Sequence, residues 1–203
     1  MHRPVILASQ SPRRKELLAQ MGVQFTVLPS QFEEHLDHAR PIEEVAIELA
    51  LGKAHDVAKK HPKAIVIGAD TIVLVDGKQL GKPKDESEAY ATLHNLAGKT
   101  NQVGTGLAVV CLELQFEVVE AVLANVHFKP ANKKLIDEYI ATGDWRDKAG
   151  SYGIQSGAAP LIDYIEGAYD NILGLPTATL ADILQNLGVQ CHPAKPAPPV
   201  PMH

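Results

Sequence analysis

Eleven consecutive residues, Ile65-Val66-Ile67-Gly68-Ala69-Asp70-Thr71-Ile72-Val73-Leu74-Val75, form an almost unbroken apolar run that ends at Asp76-Gly77. A run this short and this apolar reads as a buried strand, and Asp-Gly reads as a tight turn into a return strand that ends at Leu80. The flanking sequence alternates strand and helix patterns. Residues 5–8, 12–21 and 23–28 read as strand, helix and strand, the helix closing at Gly22. A longer helix is predicted over 42–60 behind Pro41, and another runs from the capping pair Asp85 and Glu88 to Leu96. Two long β segments follow at 102–112 and 117–128, then a helix at 131–142, a short strand at 161–165 and a last helix at 177–187. Long antiparallel segments among βα units predict an α/β fold on a mixed sheet. Residues 1–190 read as one domain, and the Pro- and Ala-rich segment 191–203 reads as a disordered tail.

Several charged residues sit where fold logic alone would not place them. Asp70 interrupts the strand, a poor position for aspartate and a costly one unless the carboxylate meets a cation, a metal or a reacting water. Gly68 just before it predicts close approach by backbone or ligand. On the 42–60 helix, Ile42, Val45, Leu49 and Val57 define an apolar face, and Lys53 projects near its middle. That ammonium either pairs with an anion or snorkels to the rim. Ser9-Gln10-Ser11-Pro12-Arg13-Arg14-Lys15 places Ser11 at an N-cap and Pro12 at the first helical position. The cations of the first turn then oppose the helix dipole, which suits a site for a strong anion such as phosphate. Lys82, in Gly81-Lys82-Pro83, follows the hairpin on a stiff element. Glu33-Glu34 lies in a loop from which a carboxylate could join Asp70 around a divalent ion. The loop from Asp147 to Gln155 mixes glycines, donors and an aromatic, a composition that can lie against a flat ring, and Gln155 can pair with both edges of a base. His35 and His38 are spaced three apart with no further ligand obvious, and read as a surface pair.

Other chemistries lack their signatures. The chain has no Gly-x-x-x-x-Gly-Lys-Ser/Thr, no Gly-x-Gly-x-x-Gly, no His-Glu-x-x-His and no Gly-x-Ser-x-Gly. A net charge of -5 argues against binding to a nucleic-acid polymer. No apolar run approaches the ~18 residues of a membrane span, and no signal-peptide pattern opens the chain. Cys111 and Cys191 are too few for a disulfide framework, so a cytoplasmic protein is expected.

Taken in order, these segments resemble the Maf family of nucleoside triphosphate pyrophosphatases. The motifs that carry the resemblance are Ala8 to Arg14 with Glu16-Leu17-Leu18, Glu33-Glu34, Leu49-Ala50 with Lys53-Ala54, Gly68-Ala69-Asp70-Thr71, Lys82-Pro83, Thr105-Gly106, Asp147 to Gln155, and Gly174-Leu175-Pro176. The resemblance implies an elongated, inosine-triphosphatase-like α/β fold, with a large twisted mixed sheet flanked by helices and a cleft between two lobes. It also implies hydrolysis of a nucleoside triphosphate to monophosphate and pyrophosphate with a divalent cation (Mg²⁺, Mn²⁺ or Co²⁺), and a homodimer is the family expectation. Asp70 matches the proton acceptor; on grounds of charge Lys53, Lys82 and Glu34 join it as catalytic residues, and Asp70, helped by Glu34, either holds the metal or takes the proton from the attacking water. Ser9, Arg13, Arg14, Thr71, Lys148 and Gln155 are the implied substrate-binding residues, and Arg13, Thr71 and Gln155 match positions that set base preference. Lys148 to Gln155 align the chain with the branch acting on dTTP and UTP rather than the 7-methyl-GTP branch. Ser156 stands where that branch commonly has Gly, Asn101 where it has His, and Ala168 where Ser is frequent. Alternatives are action on modified nucleotides and a nucleotide-binding role in septum formation.

Overall fold

A computed structural model describes residues 3–34, 40–130 and 132–203; His35 and His38 lie outside them. The elements are β1 (Val5–Leu7), α1 (Pro12–Gln20), β2 (Phe25–Val27), α2 (Ile42–Ala58), β3 (Ile65–Val75), β4 (Lys78–Leu80), α3 (Glu86–Leu96), β5 (Thr100–Cys111), β6 (Phe116–Phe128), α4 (Lys133–Thr142), β7 (Ile162–Glu166), α5 (Tyr169–Ile172) and α6 (Thr177–Asn186). Among the described residues seven strands form one sheet, ordered β2-β1-β3-β5-β6-β7, with β4 paired to β3. β1 runs parallel to β2 and to β3, whereas β3–β4 and β6–β7 are antiparallel, so the sheet is mixed as the sequence predicts. No helix among the described residues is long and apolar enough to cross a membrane.

The predicted hairpin forms. Val75 pairs with Lys78 across Asp76 and Gly77, both at positive φ (49° and 73°). That pair of conformations is what a two-residue turn of the primed type needs, and Asp-Gly supplies it.

The chain divides into two compact units. The first comprises residues 1–71, 104–122 and 170–196, the second 72–103, 123–169 and 197–203. In the first unit, Ala50, Ala54, Val57 and Ala58 of α2 pack with Ile6, Ala8, Val66, Ala108 and Val110 of the sheet. The contact is unusually close. A Cβ on Gly68 of β3 would press into the Ala50 carbonyl oxygen, and one on Gly106 of β5 into the Ala46 carbonyl. The close approach predicted at Gly68 is therefore made by helix backbone. Small residues one turn apart on α2 settle over glycines in two strands, and dense interiors leave no room for an added methyl there.

The second unit is tied by buried polar groups. The Tyr152 hydroxyl bonds Asn101 Oδ1 at 2.8 Å, and Asn101 Nδ2 donates to the Val126 carbonyl. Burial raises the Tyr152 phenol above its ordinary range. Residues 197–203, expected to be disordered, lie along β7: Ile165 N donates to Pro201 O at 3.0 Å, and His203 N donates to Ile165 O at 2.8 Å. Val200 is buried, so apolar burial and an unpaired strand edge supply contacts that Pro-rich composition alone does not reveal.

Candidate active site

α1 starts as predicted. Ser11 caps the helix by accepting from Arg14 N, and Pro12 takes the first turn. The two arginines that follow have different environments. Arg13 is half-buried and makes no hydrogen bond or ion pair among the described residues, which leaves its guanidinium available to a ligand. Arg14 is turned into the protein. Its Nε donates to Gly174 O at 2.7 Å, Nη1 to Ser9 Oγ at 3.2 Å and Nη2 to Thr71 Oγ1 at 3.0 Å. Burial lowers the Arg14 guanidinium from its ordinary range, while the nearby Asp70 charge works in the other direction. Gly174 has φ of +101°, and a Cβ there would come within 3.0 Å of Thr71 Oγ1 and 3.1 Å of Arg14 Nε. Only glycine meets both demands.

Asp70 and Lys53 answer each other. Both are 9% exposed, and Lys53 Nζ lies 2.5 Å from Asp70 Oδ1. The same ammonium lies 2.7 Å from Glu34 Oε1. Lys53 therefore pairs with anions and does not snorkel, because α2 sits so low on the sheet that its stem ends beside β3. Two carboxylates and an ammonium leave one net negative charge at the end of a buried strand segment.

Glu34 reaches this point because its loop is anchored to the helix that carries Lys53. Asp56 Oδ2 accepts from Ser30 Oγ at 3.0 Å and Gln31 N at 2.8 Å. The Gln31 amide, with Ser30 and Lys60, holds the Asp56 carboxyl below the usual carboxylate range. The Phe32 ring lies on Gly52, where a Cβ would collide with it. Neither Asp56 nor Phe32 emerges from motif reasoning; a glycine inside a helix is the one available signal, since it costs about 1 kcal/mol against alanine.

Among the described residues no three His, Cys, Asp or Glu side chains gather as a metal cage. The convergence of Asp70 and Glu34 on one cation nevertheless fits a hard divalent ion, which commonly takes one or two carboxylates and completes its shell with phosphate oxygens and water.

The structure thus brings together Ser9, Arg14, Glu34, Lys53, Asp70 and Thr71, all in the first unit. Lys82, Lys148 and Gln155 belong to the second unit. There Lys148 Nζ is held 2.8 Å from Asp144 Oδ1, and Ser156 Oγ bonds the other oxygen of the same carboxylate. Lys82 and Gln155 are exposed and form no hydrogen bond or ion pair among the described residues. Thr105 and Asn171, which extend the Arg14–Thr71 network, are the contributors that sequence reasoning leaves out of the site.

The site thus sets a strand carboxylate locked to a helix ammonium beside an arginine-bearing helix start, on a mixed-sheet α/β fold. The chain belongs to the Maf family: the family model described as Maf-like protein matches residues 4–187. Three relatives show the extent of the likeness. The dTTP/UTP pyrophosphatase of Symbiobacterium thermophilum is 46% identical over 184 residues, which is 91% of this chain and 94% of the relative. The dTTP/UTP pyrophosphatase of Geotalea uraniireducens is 44% identical over 91% of this chain and 95% of its own length. That of Pyrococcus furiosus is 42% identical over 90% and 95%.

Proposed function

We propose that this chain hydrolyses nucleoside triphosphates, dTTP and UTP foremost, to the monophosphate and pyrophosphate. The observation that carries the reading is the buried Asp70–Lys53 pair, with the exposed Glu34 on the same ammonium, supported by relatives that are named for this activity across nearly their whole length.

In this reaction water attacks the α-phosphorus, the bond to the bridging oxygen breaks, and pyrophosphate departs. Asp70 accepts the proton from the attacking water, a role that requires the carboxylate to be fixed in place. Lys53 fixes it and places positive charge where the departing oxygens gain negative charge. Arg13 binds phosphate from the helix start. Lys82, Lys148 and Gln155 enter the reading on the family resemblance, the lysines for the phosphates and Gln155 for the base. A divalent cation would be held by Asp70 and Glu34, and when bound it neutralises phosphate charge. The same resemblance favours a cytoplasmic homodimer that binds no nucleic-acid polymer.

Pyrophosphate release from a nucleotide panel with Mg²⁺, Mn²⁺ and Co²⁺ tests the proposal. UTP and dTTP are expected to lead, with activity lost on chelation and regained on adding metal. Asp70→Asn is expected to abolish release while leaving the chain folded, because Lys53 keeps Glu34 as a partner. Undiminished turnover in that variant refutes the role of Asp70.

A further inference from the structure

β7 ends the sheet, paired on one side with β6. That pairing slips between His127 and Phe128, so Asp163 bulges and the regular register is kept from Tyr164 to Glu166. On the other side, the middle residue of this stretch has both backbone groups taken by the end of the chain. Ile165 N donates to Pro201 O at 3.0 Å, and Ile165 O accepts from His203 N at 2.8 Å, which makes Ile165 and Met202 a parallel bridge. Two side chains fasten the segment: Val200 is buried, and the His203 ring stands at 86° to the Tyr164 ring with centroids 4.7 Å apart. The prolines decide what the segment can do next. Pro198, Pro199 and Pro201 have no N–H, so residues 197–203 can close a sheet but offer too few donors to carry it further.

We propose that residues 197–203 are a built-in cap on the outer edge of β7, and that what the cap keeps away is the same edge of a second copy. A bare strand edge is a template for another strand, and two identical edges can join about a twofold axis. A second copy carries the identical edge and is present wherever the first is. The capping segment lies beyond residue 187, where the match to the family ends, so the family likeness does not bear on it. The inference is independent of the hydrolase reading, and no outcome below depends on turnover.

The test compares the wild-type chain with Val200→Asp, His203→Pro and Ala197→Asp. It reads hydrogen exchange at the Ile165 amide and, by sedimentation, particle mass at rising protein concentration. In the wild type the Ile165 amide is expected to exchange slowly, because Pro201 O holds its proton. Val200→Asp puts a charge on the buried anchor; the amide is expected to exchange about tenfold faster, the worth of one hydrogen bond, and the mass to climb above wild type. The variant also adds to a net charge of -5, so repulsion opposes association and a gain in mass comes from the bared edge. His203→Pro removes the donor to Ile165 O at the final residue and is expected to act in the same direction to a smaller degree; it decides the matter should Val200→Asp fail to fold. Ala197→Asp places the same charge at an exposed position of the segment and is expected to match wild type in both readings. A homodimer formed through another face is common to every variant and cancels from the comparison. Free exchange at Ile165 in the wild type overturns the inference, as does an amide released by either variant with no gain in mass, or a gain that Ala197→Asp shares.

Discussion

Arg14 shows how one side chain can organise three segments. Its planar fork reaches Gly174, Ser9 and Thr71 from three nitrogens, a spread that the three donors of a lysine, all on one nitrogen, do not reproduce. Arg14→Lys is expected to destabilise the chain by about 2 kcal/mol in urea denaturation, since charge-assisted hydrogen bonds are lost from a partly buried site. Arg13→Lys should change stability little and raise KM for the triphosphate. From the sequence the two arginines look alike, because a basic first turn announces an anion site without saying which cation points outward. Lys53 and Asp70 were legible for the opposite reason: each breaks a strong apolar pattern, and the two breaks turn out to be one ion pair. Ser156 belongs at this scale too. Its hydroxyl shares Asp144 with Lys148, so Ser156→Gly is expected to loosen Lys148 and alter KM more than kcat, as steady-state kinetics would show.

At the scale of elements, α2 is the piece on which the site depends. It carries Lys53, anchors the Glu34 loop through Asp56 and Gly52, and rests on Gly68 and Gly106. Gly106→Ala is expected to cost about 3 kcal/mol, near the top of the range for overpacking, because the obstacle is helix backbone and cannot rotate away. The same variant should lose pyrophosphate release even where it stays folded, since raising α2 withdraws Lys53 from Asp70. Gly77→Ala offers a contrast: nothing lies within 4 Å of its added Cβ, so only the positive φ is at stake. About 1 kcal/mol is expected, with activity unchanged. The helices and the hairpin were readable because period and turn chemistry are local. The course of residues 197–203 along β7 was not, because strand-edge pairing depends on a neighbour far away in sequence.

For the whole molecule, pH dependence follows from carboxyls that the fold holds low. The Gln31 amide lowers Asp56, Arg3 lowers Glu113, and Asn125 with His127 lowers Glu166. The unfolded chain takes up protons at these groups first, so their contribution is present above the unfolded range near ~4 and is lost as pH falls through the folded values. Tyr169 works at the other limit: burial raises its phenol to about 12, so its contribution holds below ~10 and is lost as pH rises toward the folded value. Stability measured against pH is therefore expected to decline on both flanks, with a shallower acid flank in Asp56→Asn. The mixed sheet could be read from the mixture of long β segments and βα units; the residue bounds of the two compact units could not, because they depend on which distant strand halves share contacts.

The glycine seats beneath α2 have an evolutionary corollary. At Gly68 and Gly106, selection for turnover and selection for a folded chain act on the same codons, so neither property can drift there without the other. A saturation library scored once for solubility and once for catalysis should give coincident intolerant positions along this seam. Around Phe32 and Ser156 the two scores should part company.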